Sequence, residues 1–350
     1  GEAASIRYPG PFARFSKNPL SIGRRPPRIG EHTDEIIDEI SRVPEKGRVT
    51  ESKKTTLPLE GVKVLDFMWA LAGPGATRTL ADMGATVIRV ESSSRLDVIR
   101  TIRPFIDSDE SPEKSALFHN TNAGKNLLSL DLTKPEGKAV ALDLVRWCDV
   151  VTESFSPKAM KAFGLDYESL LEVNSDLIML STCLFGQTGP LSMFAGYGNL
   201  AAAIAGFYTI TGWPDREPAG PFGAYTDYIA PRYNAAAILA ALDHRDRAGE
   251  GQHIDLAQAE SAMHFLTPAI LDYMVNDKVQ SRIGNSDPSC APHGVYPVSG
   301  DDAYIAIACE TDEQWHAFND LLSIPDESAE LYNSMKARIK NRDSLDQFIC

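Results

Sequence analysis

The sequence predicts an α/β fold: a large Rossmann-like domain with a parallel sheet, followed by part of a smaller α+β domain. Three observations carry this expectation. Short apolar runs alternate with amphipathic helical stretches between residues 62 and 185. The longest of these runs is mostly apolar and does not alternate, as expected of a strand buried on both faces. Gly and Pro fall where one kind of stretch gives way to the other.

Residues 62–67 (VKVLDF) read as the first strand. Gly73 and Pro74 interrupt it, and residues 74–83 read as a helix with proline in its first turn. Residues 86–90 (TVIRV) are the next strand. Residues 135–148 form a helix with Pro135 early and Ala139, Leu142, Leu144 and Val145 on one side. Strands follow at 149–152 and 177–185 (LIMLSTCLF). After Gly189 helices are expected at 201–208, 229–245 and 257–275, with a short extended piece at 252–256. A strand at 303–308 (AYIAIA) and a helix at 313–322 open the smaller domain. Residues 1–56 differ, being rich in Pro, Arg and charge, with one helical stretch at 33–40 and a polar linker at 45–56.

The 350 residues are 43% hydrophobic and 23% charged, with a formal net charge of −14. That balance argues against nucleic acid as a partner, because phosphate backbones need clustered Lys and Arg. No apolar run approaches the ~18 residues of a membrane span, and no secretory signal pattern is visible at the N-terminus. The five cysteines are scattered without a CxxC pair, which suits a reducing cytoplasm and predicts no metal site. Cys148 and Cys309 sit in apolar runs and read as core residues. Gly73 and Gly75 begin a dinucleotide fingerprint, but the third glycine position is Arg78, so that motif fails. The Gly-Pro turn could still present free N–H groups to an anion at a helix N-terminus.

One set of strings is more specific. LEGVKVLDFMWALAGPGATRTLADMGATVIRVE (59–91), NAGKNLLSLDLTKPEG (122–137), DVVTESFSPKAMKAFGLDYESL (149–170), FGQTGP (185–190), AGY (195–197), GEGQHIDLAQAE (249–260) and APHGVYP (291–297) occur in this order. Together they resemble the family III CoA-transferases, the CaiB/BaiF family. Residues 9–40 are similar to the end of a family member, and the closing KNRDSLDQFIC to the middle of its smaller domain. The resemblance therefore implies a tail of a preceding copy at 1–44, a linker at 45–56, a CoA-binding large domain at 57–280 and a partial small domain at 281–350. It also implies an interlocked dimer-type fold.

The resemblance implies chemistry as well. Family transferases attack a thioester with an Asp that follows a Gly-aromatic pair, which is covalent catalysis. Here Gly196-Tyr197 is followed by Gly198 and Asn199, so the usual nucleophile position has no side chain. The related racemases pair a His with an Asp as acid and base. Their His falls on Tyr197 and their Asp on Asp227. Asp227 is thus the candidate catalytic residue, with helix capping near Ile229 as the structural alternative. The implied CoA-binding residues are Arg89, Lys125, Asn122, Ala72, Phe155 and Lys158. Tyr197, Asn199 and His293 are implied at the substrate and lid region. His253 reads as a packing residue, and Asp255 and Glu260 as candidate buried acids.

Three readings stay open: an acyl-CoA:carboxylic acid CoA-transferase unit, a catalytically silent half completing an active partner, and a 2-methylacyl-CoA racemase using Asp227. All imply coenzyme A or acyl-CoA as substrate, with no tightly bound cofactor. The implied partners are carboxylic acids and a second family III copy in the same or another chain, with no nucleic acid and no membrane.

Overall fold

The computed structural model describes residues 10–20, 57–322 and 330–350, with Arg7, Asp34 and Ile37. The linker expected at 45–56 and, apart from Asp34 and Ile37, the helix expected at 33–40 lie outside the described residues. The chain forms two compact units, Gly1–Ala205 with Phe222–Asp277, and Gly206–Pro221 with Lys278–Cys350. Among the described residues no helix is long and apolar enough to cross a membrane.

In chain order the elements are β1 Arg14–Phe15, β2 Lys63–Asp66, α1 Ala72–Asp82, β3 Thr86–Glu91, α2 Ala116–Asn122 and β4 Asn126–Ser129. Then come α3 Pro135–Trp147, β5 Val150–Glu153, α4 Pro157–Phe163, α5 Tyr167–Leu171, β6 Ile178–Cys183 and α6 Gly198–Ala205. They are followed by α7 Phe207–Ile210, α8 Thr226–Ala248, β7 His253–Ala257, α9 Gln258–Met263 and α10 Thr267–Asn276. The last are β8 His293–Pro297, β9 Tyr304–Ala308, α11 Asp312–Leu322, α12 Met335–Lys340 and α13 Arg342–Ile349.

The sheet of the first unit has the order β1-β7-β6-β5-β2-β3-β4. Every pair is parallel except β1 with β7. Leaving β1 aside, this is the doubly wound order in which the first-formed strand sits mid-sheet. Successive residues of each strand face opposite sides of a sheet. Val64, Val87, Ile178 and Ile254 accordingly pack with Leu80 of α1 and Ile238 and Ala241 of α8. Leu65, Val90, Val151 and Met179 pack with Ala141 and Val145 of α3 and Met160 of α4 on the other face. The continuous apolar runs follow from this double coverage.

Several boundaries differ from expectation for local reasons. The run expected as one helix at 257–275 is broken by a 3₁₀ turn at His264–Leu266, and α10 restarts with proline in its first turn. The helix expected at 201–208 starts earlier, at Gly198, and ends before Gly206, whose φ of 110° leaves the helical region. α8 begins at Thr226, ahead of the expected 229, so Asp227 lies inside its first turn and does not cap it. Helices α4 and α5 and strand β4 were not expected at all.

The second unit carries the antiparallel pair β8–β9. Cys309, Trp315, Tyr332 and Leu345 form its small core. Cys148 and Cys309 are buried, as their sequence surroundings predict.

Candidate active site

The site lies past the carboxyl ends of β2 and β5, the neighbouring strands where the winding of the sheet reverses. β2 ends in Asp66, which is fully buried. Its carboxylate accepts from the Met68 N–H at 3.0 Å, the Thr77 hydroxyl at 2.7 Å, the Thr152 hydroxyl at 3.2 Å and the Lys125 ammonium at 3.0 Å. Burial works to raise the Asp66 pKa, but Lys125, Arg89 and these donors outweigh it and hold the carboxyl below its ordinary range. Lys125 also donates to the Pro74 carbonyl and to Asn122 Oδ1, both at 2.9 Å. Burial lowers its pKa to about 8, with Asp66 acting in the opposite direction.

A second buried ion pair lies alongside. Arg89 donates to the Met68 carbonyl at 2.7 Å and pairs with Asp97. Asp97 in turn accepts the Ala70 N–H at 3.0 Å and the Ile99 N–H at 3.1 Å. That contact holds Ala70, whose φ is +61°, in the sparsely populated left-handed region. The structure thus places Arg89, Lys125 and Asn122 in the framework that shapes the loop after β2. Their polar groups face one another and the backbone, and none of the three lines a cavity described below.

Two cavities open on this loop. One, of about 530 Å³, lies between the ends of β2, β3 and β4 and is lined by residues including Glu91, Ser92, Ser94, Arg95 and Thr133. The other, of about 220 Å³, lies between residues 69–73, residues 192–197 and the end of β6, and contains Asp227 and Gln258. Trp69, Phe155 and Ser156 line both. The Trp69 and Phe155 rings meet edge to face at 5.9 Å, and the Arg95 guanidinium lies 5.7 Å from the Trp69 ring centre. Arg95 is the one Lys or Arg lining either cavity. The first residues of α1, Ala72 and Gly73, also line the smaller cavity, and no side chain caps that helix. A helix N-terminus without a cap leaves N–H groups for an anion.

Asp227 is 8% exposed. Its carboxylate accepts from the Gln258 side-chain amide and from the Gly198 backbone N–H. The same Gln258 amide donates to Thr226 Oγ1 at 2.8 Å, and that hydroxyl donates to the Gly198 carbonyl at 3.0 Å. Burial raises the Asp227 pKa, against the pull of Gln258 and Gly198. Tyr197, half-exposed, lines the same cavity, as do Ala72 and Phe155. Asn199 is exposed on α6 and Lys158 on α4, and neither lines these cavities. His293 belongs to the second unit, where its Nδ1 lies 2.6 Å from the Asn285 carbonyl oxygen. Sequence reasoning missed Arg95 and Gln258. Arg95 follows a serine run with no periodic signal, and Gln258 sits in a quoted motif beside residues that drew more attention.

The neighbouring acids behave variously. Asp255 is raised by burial, whereas Glu260 is exposed and so corrects the expectation of a buried acid there. His253 stacks on Tyr167 at 5.1 Å and lies 2.9 Å from the Ser181 hydroxyl. Glu153, at the end of β5, accepts the Phe155 N–H at 2.7 Å, and burial raises its pKa to about 7. Its folded pKa exceeds the ordinary 4.5, so the protein keeps this proton where the unfolded chain has lost it. The resulting stabilisation is complete below the unfolded value and disappears as pH rises through about 7. Unfolding free energies from urea titrations at pH 5 to 8 should therefore fall, by up to ~1.4 kcal/mol per pH unit, and Glu153→Gln should flatten that fall. An unchanged slope in the variant would assign the titration to another group. In the second unit Asp287, Cys290 and His293 bring ligand atoms within 4.8 Å of one another, a grouping that the cysteine spacing did not suggest.

A profile of CoA-transferase family III matches residues 59–349. The chain is 39% identical over 297 residues to a succinate–glutarate CoA-transferase of Agrobacterium fabrum, covering 83% of this chain and 73% of that protein. It is 35% identical to a succinyl-CoA:mesaconate CoA-transferase of Haloarcula marismortui, covering 82% and 72%. A crystal structure of a CaiB/BaiF family protein from Brucella suis superposes with a TM-score of 0.72 at 37% identity, covering 84% of this chain and 77% of that one. With the doubly wound sheet, the cavities at its switch point and these matches together, the chain belongs to CoA-transferase family III.

Proposed function

We propose that this chain is an acyl-CoA:carboxylic acid CoA-transferase unit that moves CoA between an acyl-CoA and a small carboxylate such as a dicarboxylic acid. The observation that carries the reading is the pair of cavities sharing the Trp69–Phe155 wall, one mostly apolar with Arg95 as its cation beside Glu91 and Asp131, and the other ending at Asp227. The larger suits the nucleotide end of the carrier, whose phosphates need a cation and whose base needs an aromatic face. The smaller suits the thioester. Matched relatives named for succinyl, glutarate and mesaconate transfer support a dicarboxylate as the acid. The test is incubation with succinyl-CoA and glutarate, following new acyl-CoA by mass spectrometry. Hydrolysis without a new thioester would count against transfer.

Arg95→Ala should weaken CoA binding by roughly tenfold, about 1.4 kcal/mol, in calorimetry. Equal affinity would remove Arg95 from the carrier's path. Association with a second family III copy and the domain bounds given under Sequence analysis belong to the same proposal, supported by the likeness of residues 9–40 to a family member's closing segment, as does a cytoplasmic setting, supported by the five free cysteines. A silent half is the second reading, favoured by Gly198; a wild-type chain that binds CoA yet transfers nothing would select it.

A further inference from the structure

We propose that Asp227 is the covalent nucleophile of this chain, its carboxylate standing in the space that a side chain at position 198 would fill. The inference rests on the transferase reading above. A Cβ placed on Gly198 would lie 2.7 Å from the Ala224 carbonyl oxygen, 2.7 Å from the Asp227 nitrogen and 2.8 Å from Asp227 Cγ. Position 198 is therefore closed by the Ala224 and Asp227 backbone together with the Asp227 side chain. A glycine there lets the start of α8 approach and brings a carboxylate to the same place from a helix 29 residues further along.

The way Asp227 is held separates it from Asp66 and Asp97, and its place in the cavity separates it from Glu153, which is buried without an ion pair among the described residues but lies outside that lining. Asp66 and Asp97 are buried too, but each has a buried cation, Lys125 and Arg89. Among the described residues Asp227 makes no ion pair, and no Lys, Arg or His lines its cavity. A buried carboxylate without a counter-charge is costly. It is the only carboxylate in that lining. Its two donors, the Gln258 amide and the Gly198 N–H, orient it without neutralising it. Burial makes it more basic than a solvated carboxylate, which favours attack on an acyl carbon.

Competing roles fit less well. Besides hydroxyls, which have no basic side chain in the lining other than Asp227 itself to activate them, the cavity offers Cys183, whose thiol burial raises to about 11 and whose Sγ donates to the Gly186 carbonyl at 3.0 Å. It is protonated at neutral pH. A two-base isomerisation would need a second group near neutrality, and beside Asp227 the lining offers only Tyr197 and Cys183 as titratable groups.

The steps balance without an added reagent. An Asp227 oxygen attacks the acyl-CoA carbonyl carbon, the C–S bond breaks and CoA leaves as thiolate, giving a mixed anhydride. The thiolate attacks Asp227 Cγ, the anhydride C–O bond breaks and the donor acid departs as carboxylate. Asp227 is then a CoA thioester. The acceptor carboxylate attacks Cγ and expels the thiolate, and the thiolate attacks the acceptor acyl carbon, forming the new thioester and restoring Asp227. No electron, proton or water is consumed.

The experiment treats the whole chain with succinyl-CoA and hydroxylamine without acceptor, then maps the hydroxamate by peptide mass spectrometry. It is expected on Asp227. Asp227→Asn should lose about a thousandfold or more of transfer while retaining CoA affinity. Asp227→Glu should retain at least about tenfold more transfer than Asp227→Asn, because a carboxylate remains in the same cavity. An adduct on Cys183, or full transfer by Asp227→Asn, overturns the inference and leaves the transferase reading standing. A wild-type chain inert with every acyl-CoA and acid overturns both.

Discussion

Asp66→Ala is expected to cost about 3–5 kcal/mol and to unfold the first unit in urea well before the wild type. Removing one member of a buried ion pair leaves the other charge without compensation. Lys125, 2% exposed at its side chain, would keep only the Pro74 carbonyl and Asn122 as partners. The Met68 N–H and the Thr152 hydroxyl would also lose their acceptor, and the Thr77 hydroxyl would keep only the Pro74 carbonyl at 3.3 Å. The damage would reach the loop after β2, which the same carboxylate helps to shape. Urea midpoints by circular dichroism measure it. The double variant Asp66→Leu with Lys125→Met should recover a good part of the loss, since an apolar pair of similar volume removes the orphaned charge. A single variant within about 1 kcal/mol of wild type would show that the pair is dispensable.

Arg338→Ala should have a comparable effect on the second unit. The Arg338 side chain is fully buried. It donates to the Ala291 carbonyl at 2.7 Å, the Tyr332 carbonyl at 3.3 Å and Asp312 Oδ1 at 2.8 Å, and lies 5.2 Å from the Trp315 ring centre. One guanidinium thus ties the segment before β8, α11 and the segment before α12 together. Truncation leaves two carbonyls without a donor and a void beside Trp315, at about 3–5 kcal/mol. Loss of near-ultraviolet circular dichroism and a red shift in tryptophan emission at low urea are the expected signs. Unchanged spectra would mean that the small core holds without it.

Much of the architecture was legible because double coverage writes long apolar runs into strands such as β6 and leaves proline at the start of α3. Strand β4 was not, since its four residues are mostly exposed and their pairing with β3 comes from a neighbour some forty residues away. The surroundings of the cations were not legible for a related reason. Arg89 and Lys125 sit in family-like strings, but Asp66 and Asp97, which engage their charges, announce themselves only once the chain is folded. Ala72, Phe155, Tyr197 and Asp227 were brought together in one cavity, and those positions were legible through motif order and not through periodicity.

The two-residue strand β1 carries a consequence out of proportion to its length. It covers the outer side of β7, with Phe15 seated in the core and the Ser16 hydroxyl accepting the His253 N–H across 237 residues of sequence. Without it, β7 would offer an open row of amide and carbonyl groups to any passing chain, a template for self-association. Because that seal closes so long a loop, it belongs among the slow, late contacts of folding.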